Sequence, residues 1–401
     1  MTAGPHSGSP PGVPLSPALE PDSGPAGEAQ GWRRIYDRQA RLPQVGPQGQ
    51  AKLAQATVGV LGCGALGSVT AQWLARAGVG TLLLIDRDVV EPTNLQRQLL
   101  YDRDDAATGR PKVEAACEQI RRINPDVRAI PLPENAGPDT IERLCGLAEG
   151  SEVPRADVLV DGFDGYHARY VANDCALAHG VPLVHGGAVG TSGSMLVVLP
   201  AVSRRSSDDA EPAWLKQGGA TIDLATLFGA PPPPGSTPTC ETAGVLGPAV
   251  GVVASLQAAE AIKILLGDWA SVSRDLWRID LWEGRIDRFA TPRPEVVDPD
   301  SLALPYLRAP ANPDDGALCG RDVVQVSPAA AGAPIDLQAL GAQWRVDHGD
   351  RVSATPHVAR LSLTEGEAAR ALTVFRDGRT LVHGAADTAA ARALVDRYVR
   401  S

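Results

Sequence analysis

A glycine-rich segment near the start of the chain has the spacing of a phosphate-binding turn. The letters GCGALG place Gly62, Gly64 and Gly67 in the pattern G-x-G-x-x-G. Such glycines permit a tight turn and a close approach of the backbone to a phosphate, and the helix that follows offers free N–H groups. Asp86 ends the next apolar stretch about 20 residues on, where an acidic residue binds ribose hydroxyls. These residues predict a nucleotide site.

Basic and amide side chains follow Asp86 along the chain. They are Asn94, Arg97, Gln98 and Lys112. An open α/β sheet would bring them to the carboxyl edge of its strands, where such sheets bind ligands. A plain dinucleotide enzyme has no need of an arginine and a lysine there, whereas a reaction at a triphosphate builds charge on phosphate oxygens. On composition alone, a solvated basic surface remains the alternative.

Two carboxylates, Asp161 and Asp164, end a later apolar stretch. Mg²⁺ prefers one or two carboxylates together with phosphate oxygens, so this pair suggests a magnesium site. The alternative is that Asp164 caps the N-terminus of a helix, which is a common use of aspartate.

The elements that would position these residues alternate between short apolar strands and helices. The pattern predicts strands at Thr57–Leu61, Thr81–Asp86, Val127–Leu132, Ala156–Asp164 and Ser192–Leu199, helices near Ser68–Ala77, Lys112–Ile123, His167–His179 and Pro248–Leu266, and a hairpin over Leu276–Phe289. We therefore predict an α/β fold with a doubly wound, Rossmann-like mixed sheet. Strand, Asp-Gly turn, strand and helix near the end of the chain predict a small C-terminal α+β module.

Composition shifts divide the chain into segments. Residues 1–30 are rich in Pro, Gly, Ser and Ala and predict a disordered tail. Residues 31–295 form the large α/β domain, in which 200–240 is too long for an ordinary connection and predicts a mobile crossover loop. Residues 296–325 are expected to be a linker, and 326–401 the C-terminal module.

The composition limits the classes of function. The chain has 401 residues, 44% of them hydrophobic, and a net charge of −10, which does not favour nucleic acid. Its six cysteines lie far apart, as expected for a reducing cytoplasm and not for a disulfide framework. Because no apolar run approaches about 20 residues, we expect no membrane span.

Several segments, taken together, resemble the ThiF/MoeB adenylyltransferases, which are relatives of the ubiquitin-activating enzymes. They are YDRQARLPQVG, GCGALGS, LIDRDVVEPTNLQRQ, GRPKVEAA, RINPDV, DGFDGYHARYVAN and CETAGVLGPAVGV, in family order over roughly residues 32–290. CGRDVVQV and FRDGRTLVHG resemble the tail of some bacterial members. The resemblance implies ATP-dependent adenylylation of the C-terminal glycine of a ubiquitin-like sulfur-carrier protein such as ThiS or MoaD. Pyrophosphate leaves, and the adenylate becomes a thiocarboxylate for thiazole (thiamine), molybdopterin or tRNA-thiolation pathways.

The resemblance also implies roles for individual residues. The backbone at Gly64 and Ala65 faces the nucleotide, while Gly165 follows the carboxylate that binds Mg²⁺, Asp164. Asp86 holds the ribose, and the phosphate contacts come from Asn94, Arg97 and Lys112, with Gln98 beside them. Arg38 matches an arginine that the family inserts into the neighbouring subunit's site, so a homodimer is implied. Because no cysteine follows Cys319, we expect no sulfur-transfer domain after it, and the sulfur must come from a separate donor such as a cysteine desulfurase.

The chain departs from the family at two places. Many relatives hold a structural Zn²⁺ with two C-x-x-C pairs, but Cys319 has Gly316 three positions before it, so we predict no structural zinc. Where relatives read Thr-Asp-Asn, this chain has Phe163 before Asp164 and a glycine after it. Cys240 matches a cysteine that joins the sulfur-transfer step in some relatives, and the alternative is an ordinary loop cysteine.

Two other functions stay open from the sequence. A nicotinamide-dependent oxidoreductase would suit the glycine turn and Asp86, but it leaves the Arg97 and Lys112 cations without a purpose. A family member that binds a carrier without catalysis would explain the changes around Asp164. Cys63 is expected to be a small packing residue, and His167 and His185 to be local hydrogen-bonding residues, because a carboxylate nucleophile is already ionised at neutral pH and needs no base.

Overall fold

The structure, a computed structural model, describes residues 29–202, 212–233, 236, 240–309, 316–317, 323–326, 334–365 and 368–399. The chain divides into two compact units, one that ends at Ala51 and one that begins at Lys52. Residues 1–28 of the predicted disordered tail lie outside the described residues, and its last two residues are helical.

The first unit contains α1 (Ala29–Ala40) and the start of α2 (Gly46–Gln55). Gln39 Nε2 donates a hydrogen bond of 2.8 Å to Gln50 Oε1, which ties the two helices together.

An eight-stranded mixed sheet forms the centre of the second unit. Its strands are β1 (Thr57–Leu61), β2 (Thr81–Ile85), β3 (Arg128–Leu132), β4 (Val158–Asp161), β5 (Leu183–Val189), β6 (Ser192–Val198), β7 (Asp275–Asp280) and β8 (Arg285–Ala290). They lie in the order β3-β2-β1-β4-β5-β6-β7-β8, parallel from β3 to β5 and antiparallel from there on. Leu61 pairs with Ile85 on one side and Asp161 on the other, so the chain that follows β1, β2 and β4 meets at one edge.

Helices cover both faces of this sheet. They are α3 (Ala65–Ala77), α4 (Arg103–Thr108), α5 (Lys112–Ile123), α6 (Ile141–Leu144), α7 (Tyr166–His179), α8 (Ala213–Lys216), α9 (Leu224–Phe228), α10 (Cys240–Ala243) and α11 (Gly247–Leu266). Val60 packs in one core with residues of α3, α5 and α11, whereas Leu61 packs in a second core with residues of α7. Because successive side chains of a strand point to opposite faces, the sheet is buried on both sides, which confirms the predicted doubly wound α/β fold.

Part of the segment 200–240, predicted as a mobile loop, packs closely against the sheet. Trp214 is 7% exposed and donates from its indole N–H to the carbonyl oxygen of Pro200 at 3.1 Å. Thr221 is buried and donates to the carbonyl oxygen of Val197, and Leu224 joins the core on the α7 face. The expectation of a mobile loop is therefore wrong for residues 212–228, because these buried side chains anchor them. Residues 203–211, 234–235 and 237–239 lie outside the described residues.

Helix α11 is a core helix of the second unit. By length and composition alone it could cross a membrane, so the statement that no apolar run approaches such a span is too strict. It contacts α3, β5 and β6, and Gln257 Nε2 donates to the carbonyl oxygens of Asp161 at 2.7 Å and Val184 at 3.0 Å. It ends, as predicted, at Leu266, and the C-cap that follows is Gly267, whose φ of +77° suits glycine.

A second, six-stranded antiparallel sheet forms the C-terminal module, which belongs to the same compact unit. Its elements are β9 (Gly316–Ala317), β10 (Val323–Val326), α12 (Leu337–His348), β11 (Val352–Ala354), β12 (Val358–Glu365), β13 (Ala368–Phe375), β14 (Thr380–His383) and α13 (Thr388–Tyr398). The predicted strand, Asp-Gly turn, strand and helix are β13, β14 and α13. The predicted linker 296–325 is too long, because β9 and most of β10 lie within it and β10 pairs with β14, far along the chain.

Candidate functional site

A cavity opens at the edge where β1, β2 and β4 end. Its lining brings together residues of the glycine turn, the segment after β2, the start of α5, the segment after β3 and the segment after β4. The predicted site residues among them are Gly62, Gly64, Ala65, Asp86, Arg97, Gln98, Lys112, Asp164 and Gly165. Residues far apart in the sequence thus meet in one place, as the spacing of strand ends predicts.

The three glycines of the turn serve different purposes. Gly62 has a φ of +86°, and a Cβ there would lie 2.9 Å from the carbonyl oxygen of Gly162. A Cβ on Gly67 would lie 1.8 Å from the carbonyl oxygen of Gly62, so Gly67 permits close packing within the turn. Gly64 has open space, its nearest neighbour being Gln98 Nε2 at 3.9 Å. Gly64 is also the N-cap of α3 and no side chain caps that helix, so its first N–H groups can serve an anion.

Asp86 holds the glycine turn to the segment after β2. Its Oδ2 accepts from the backbone N–H of Cys63 at 2.7 Å, and its Oδ1 accepts from that of Asp88 at 2.7 Å. Burial raises the pKa of Asp86, while the nearby Lys112 ammonium acts in the opposite direction. Since each carboxylate oxygen has a second lone pair, Asp86 can still accept hydrogen bonds from two ribose hydroxyls.

The cations of the site are held by their surroundings. Lys112 is 2% exposed, and its Nζ lies 3.0 Å from Asp88 Oδ2. Arg97 donates from Nη1 to the carbonyl oxygen of Thr93 at 2.9 Å. In the described part of the chain, Arg97 Nε and Gln98 Oε1 are buried and have no hydrogen-bond partner. Such atoms are costly to bury alone, so they fit a site that a polar ligand completes.

Asn94 has a different place from the other predicted residues. It is buried, and its Oδ1 accepts from the backbone N–H of Glu91 at 3.0 Å, which caps the short 3-10 turn Pro92–Asn94. The lining of the cavity does not include it. In this structure Asn94 therefore shapes the segment that carries Arg97.

The two carboxylates after β4 have separate surroundings. Asp161 is buried; its Oδ1 accepts from the N–H of Phe163 at 3.0 Å, and its Oδ2 lies 2.6 Å from His185 Nδ1. Asp164 is exposed and lines the cavity, as do Phe163 and Gly165. The N-cap of α7 is Gly165 without a side-chain hydrogen bond, so Asp164 is not used as a helix cap. Asp164 is thus the carboxylate available to a ligand, and His185 is a local hydrogen-bonding residue as predicted.

The structure adds a cation that the sequence did not single out. Arg169, on the second turn of α7, lines the cavity, and its Nη2 donates to the carbonyl oxygen of Phe163. Its Nε is buried and has no hydrogen-bond partner among the described residues. The available signal was its place near the start of the helix that follows a strand end, inside a segment already singled out for Asp164.

The remaining predicted residues lie elsewhere. Arg38 is exposed on α1, in the first unit. Cys240 is the first residue of α10, and its side chain lies outside the described part. Cys63 is fully buried in the core, and burial raises the pKa of its thiol, which confirms a packing role. Cys319 lies outside the described residues, so the absence of a structural zinc stays a prediction.

Comparison with known proteins gives consistent matches. A family model described as ThiF family matches residues 36–298. The "Sulfur carrier protein ThiS adenylyltransferase" of Bacillus subtilis is 34% identical over 370 residues, which cover 91% of this chain and 98% of that protein. The "Sulfur carrier protein adenylyltransferase" of Thermus thermophilus is 38% identical over 232 residues, 58% of this chain and 77% of that protein. The "SAMP-activating enzyme E1" of Haloferax volcanii is 36% identical over 233 residues, 58% and 76% respectively. The alignment with the Bacillus protein covers 91% of this chain, which is more than the large domain contains, so it extends into the C-terminal module.

Proposed function

Because the chain belongs to the ThiF family, we propose that it is an adenylyltransferase that uses ATP to activate the C-terminal glycine of a ubiquitin-like sulfur-carrier protein. The observation that carries the proposal is the single cavity in which the glycine turn, Asp86, Arg97, Lys112 and Asp164 converge. The Bacillus relative, whose name states ThiS as its substrate, aligns over nearly its whole length and supports the same reaction class.

The proposed reaction is an attack of the carrier's C-terminal carboxylate on the α-phosphorus of ATP. A bond forms between a carboxylate oxygen and that phosphorus, the bond to the bridging oxygen breaks, and pyrophosphate leaves with its electron pair. The nucleophile is ionised at neutral pH, so no general base is required. The product is an acyl-adenylate, whose carbonyl carbon is open to attack by sulfur from a separate donor such as a cysteine desulfurase.

The residues of the chain would bind and orient the reactants. The N–H groups at the start of α3, beside Gly64, face the phosphates, and Asp86 accepts from the ribose hydroxyls. Lys112, Arg97 and Arg169 supply positive charge where charge builds on the phosphate oxygens. Removal of one such donor from a preorganised site typically costs about 100- to 1,000-fold in rate.

We also propose that Mg²⁺ accompanies ATP and is held by Asp164. The donor chemistry fits, because Asp164 is an exposed carboxylate in the cavity lining, whereas Asp161 already accepts from Phe163 and contacts His185. One carboxylate with phosphate oxygens and water is a common Mg²⁺ environment. When bound, the ion would neutralise phosphate charge. We expect Asp164→Asn to raise the Mg²⁺ concentration needed for half-maximal activity, and an unchanged Mg²⁺ dependence would contradict this role.

The test of the proposed function is isotope exchange between pyrophosphate and ATP with purified carrier proteins. We expect exchange with at least one ThiS- or MoaD-like carrier, and no exchange with the same carrier lacking its last glycine. Exchange that persists with the truncated carrier would contradict the mechanism. Carrier binding without exchange would indicate a non-catalytic family member, and tight binding of NADH without binding of ATP would indicate an oxidoreductase.

We propose a homodimer in which Arg38 reaches the partner's cavity. Arg38→Ala and Lys112→Ala should each be inactive alone, but subunits exchanged between the two variants should regain about a quarter of the wild-type exchange rate, because half the dimers then have one intact site. No recovery in a mixture shown to contain heterodimers would contradict the shared site.

Cys240 is proposed to act in sulfur transfer after adenylation. Cys240→Ser should leave pyrophosphate exchange intact and abolish thiocarboxylate formation, as measured by the mass of the carrier. An unchanged yield of thiocarboxylate would show that Cys240 is an ordinary loop cysteine.

A further inference from the structure

The C-terminal module contacts the nucleotide site through one arginine. Arg379 lies just before β14, and its side chain is 5% exposed. Its Nη1 donates to the carbonyl oxygen of Arg87 at 2.9 Å, and its Nη2 donates to the carbonyl oxygen of Pro133 at 3.1 Å. Arg87 follows Asp86 at the end of β2, and Pro133 follows β3. One guanidinium thus joins two strand-end segments of the large sheet.

The module holds this guanidinium in a fixed position. The Cζ of Arg379 lies 3.8 Å from the centre of the Phe375 ring. The backbone N–H of Arg379 donates to Asp377 Oδ1 at 3.0 Å, and its carbonyl oxygen accepts from the N–H of Phe375 at 2.8 Å. Burial lowers the pKa of Arg379 to about 10, so the group remains charged at neutral pH. A planar fork with two parallel donors matches two carbonyl oxygens in a way that a lysine cannot.

The two segments that Arg379 joins are walls of the nucleotide cavity. After β2, Asp86, Arg87 and Asp88 all line it, and after β3 so do Glu134 and Asn135. The carboxylates of Asp86 and Asp88 also favour the charged form of Arg379. Its charge and its hydrogen bonds therefore both act on the part of the cavity assigned to the ribose.

An apolar contact continues from the same segment. Val89, directly after Asp88, packs in a cluster with Val323, Val358 and Phe375 of the module, together with Leu381. The module therefore packs against the segment after β2 at Val89, next to the residues Asp86–Asp88 that line the cavity. Arg379 contacts this cluster only at Phe375, so the other apolar contacts can keep the module docked when the guanidinium is removed.

We propose that Arg379 is a positioning residue for ATP, through which the C-terminal module holds the segments after β2 and β3 in the geometry that binds the nucleotide. The proposal rests on the proposed function, because it assumes that ATP occupies this cavity. Arg379 does not touch the reacting atoms, so it is expected to affect ATP binding far more than the chemical step.

The experiment compares Arg379→Gln with a matched variant, Arg360→Gln, in the full chain. Arg360 is a second arginine at this boundary, buried enough to lower its pKa, and it packs on Gly109 and donates to Thr373 Oγ1 at 3.2 Å. Its charge interacts with Glu91, farther along the chain after β2, but none of the hydrogen bonds described for it reaches the cavity-lining residues Asp86–Asp88 or Glu134–Asn135. Titration with ATP and Mg²⁺ in the absence of carrier gives the dissociation constant, and pyrophosphate exchange gives KM and kcat.

We expect Arg379→Gln to weaken ATP binding by about 10- to 100-fold, because the hydrogen bonds from a charged group that hold these segments are lost, and to leave kcat at saturating ATP nearly unchanged. Arg360→Gln should bind ATP like the wild type. Arg379→Lys should lose ATP affinity to an intermediate degree, because it keeps the charge but not the planar fork. It also tests the role of Arg379 if the glutamine variant does not fold. In Arg379→Ala, millimolar guanidinium should restore part of the affinity.

ATP binding is also expected to stabilise the part of the C-terminal module that carries Arg379. Because coupling between two sites is reciprocal, ATP should increase the protection of amides in the 375–379 turn against hydrogen exchange in the wild type but not in Arg379→Gln. Wild-type affinity in both Arg379→Gln and Arg379→Lys would overturn the proposal, as would an equal loss in Arg360→Gln. A wild-type protein that binds no ATP would instead contradict the proposed function itself.

Discussion

The ion pair between Lys112 and Asp88 allows the structural and chemical roles of one lysine to be separated. The two groups are 3.0 Å apart, and their side chains are 3% and 15% exposed. At an effective dielectric constant near 20, their attraction is about 5 kcal/mol before the cost of desolvation. Lys112→Met keeps the length of the side chain and removes the charge, which leaves the partly buried Asp88 beside Asp86 without this cation. Breaking a buried pair in this way typically costs about 3–5 kcal/mol.

The second effect of the substitution is on the reaction. If the Lys112 ammonium stabilises charge on the phosphates, Lys112→Met should lower the rate of pyrophosphate exchange by about 100- to 1,000-fold. The double variant Lys112→Met/Asp88→Asn also removes the Asp88 carboxylate, which the single variant leaves without its lysine partner. We therefore expect it to regain most of the free energy of unfolding, measured by urea titration, while its exchange rate stays low.

A second lysine provides the control. Lys263 Nζ lies 2.6 Å from Glu260 Oε1, outside the lining of the nucleotide cavity, and its side chain is 35% exposed. Lys263→Met should cost less stability, since Glu260 keeps its hydrogen bond from the N–H of Ser273, and should leave the exchange rate unchanged. An exchange rate that recovers together with stability in the double variant would refute the chemical role and leave Lys112 as a structural residue.

Three further predictions concern the glycine turn, Asp86 and the buried cysteines. Gly67→Ala should lower the free energy of unfolding by about 1–3 kcal/mol, because its Cβ would meet the backbone of Gly62. Gly64→Ala should keep the stability of the wild type but weaken ATP binding, because Gly64 has open space on the side of the cavity. Equal losses of stability in urea titrations of the two variants would contradict this. Burial raises the pKa of Asp86, so the stability that this group contributes is present below about pH 4 and is lost as the pH rises through its pKa in the folded protein. The free energy of unfolding of Asp86→Asn should therefore fall less between acidic and neutral pH than that of the wild type. Iodoacetamide at mildly alkaline pH should leave the four buried cysteines of the described residues, Cys63, Cys117, Cys145 and Cys175, unmodified by mass spectrometry, because burial raises the pKa of their thiols.

The parts of the fold that the sequence predicts well are those set by local patterns. The bounds of β1 and α5 agree with the prediction because Thr57–Leu61 is a short β-branched apolar run and Lys112–Ile123 has an apolar stripe that begins after a proline. The end of α11 before Gly267 follows from the left-handed conformation that glycine adopts at a helix terminus. The glycine turn likewise carries its own conformational signal.

The parts that the sequence misses depend on distant residues. Arg379 and Arg87 are 292 positions apart, and no local pattern marks either as a partner of the other. Trp214 anchors a Pro- and Gly-rich segment through contacts that only the folded sheet supplies, so the segment was predicted to be mobile. The motif predicts a phosphate contact for Asn94, which stays a prediction, but it does not predict that the Asn94 side chain caps the 3-10 turn Pro92–Asn94.

The charges of the cavity lining bear on the proposal that an acidic chain binds ATP. Four acidic side chains line it, Asp86, Asp88, Glu134 and Asp164, and four basic ones, Arg87, Arg97, Lys112 and Arg169, so the lining is formally neutral. Asp86 and Asp88 lie at the end of β2, close to Lys112, while Arg97 and Arg169 have buried Nε atoms without hydrogen-bond partners in the described part of the chain. A neutral lining does not balance the charge of ATP by itself, which is why the proposed Mg²⁺ at Asp164 matters. The same reasoning gives Arg379 a purpose beyond its hydrogen bonds, because its buried charge lies behind the two carboxylates and offsets them from outside the cavity.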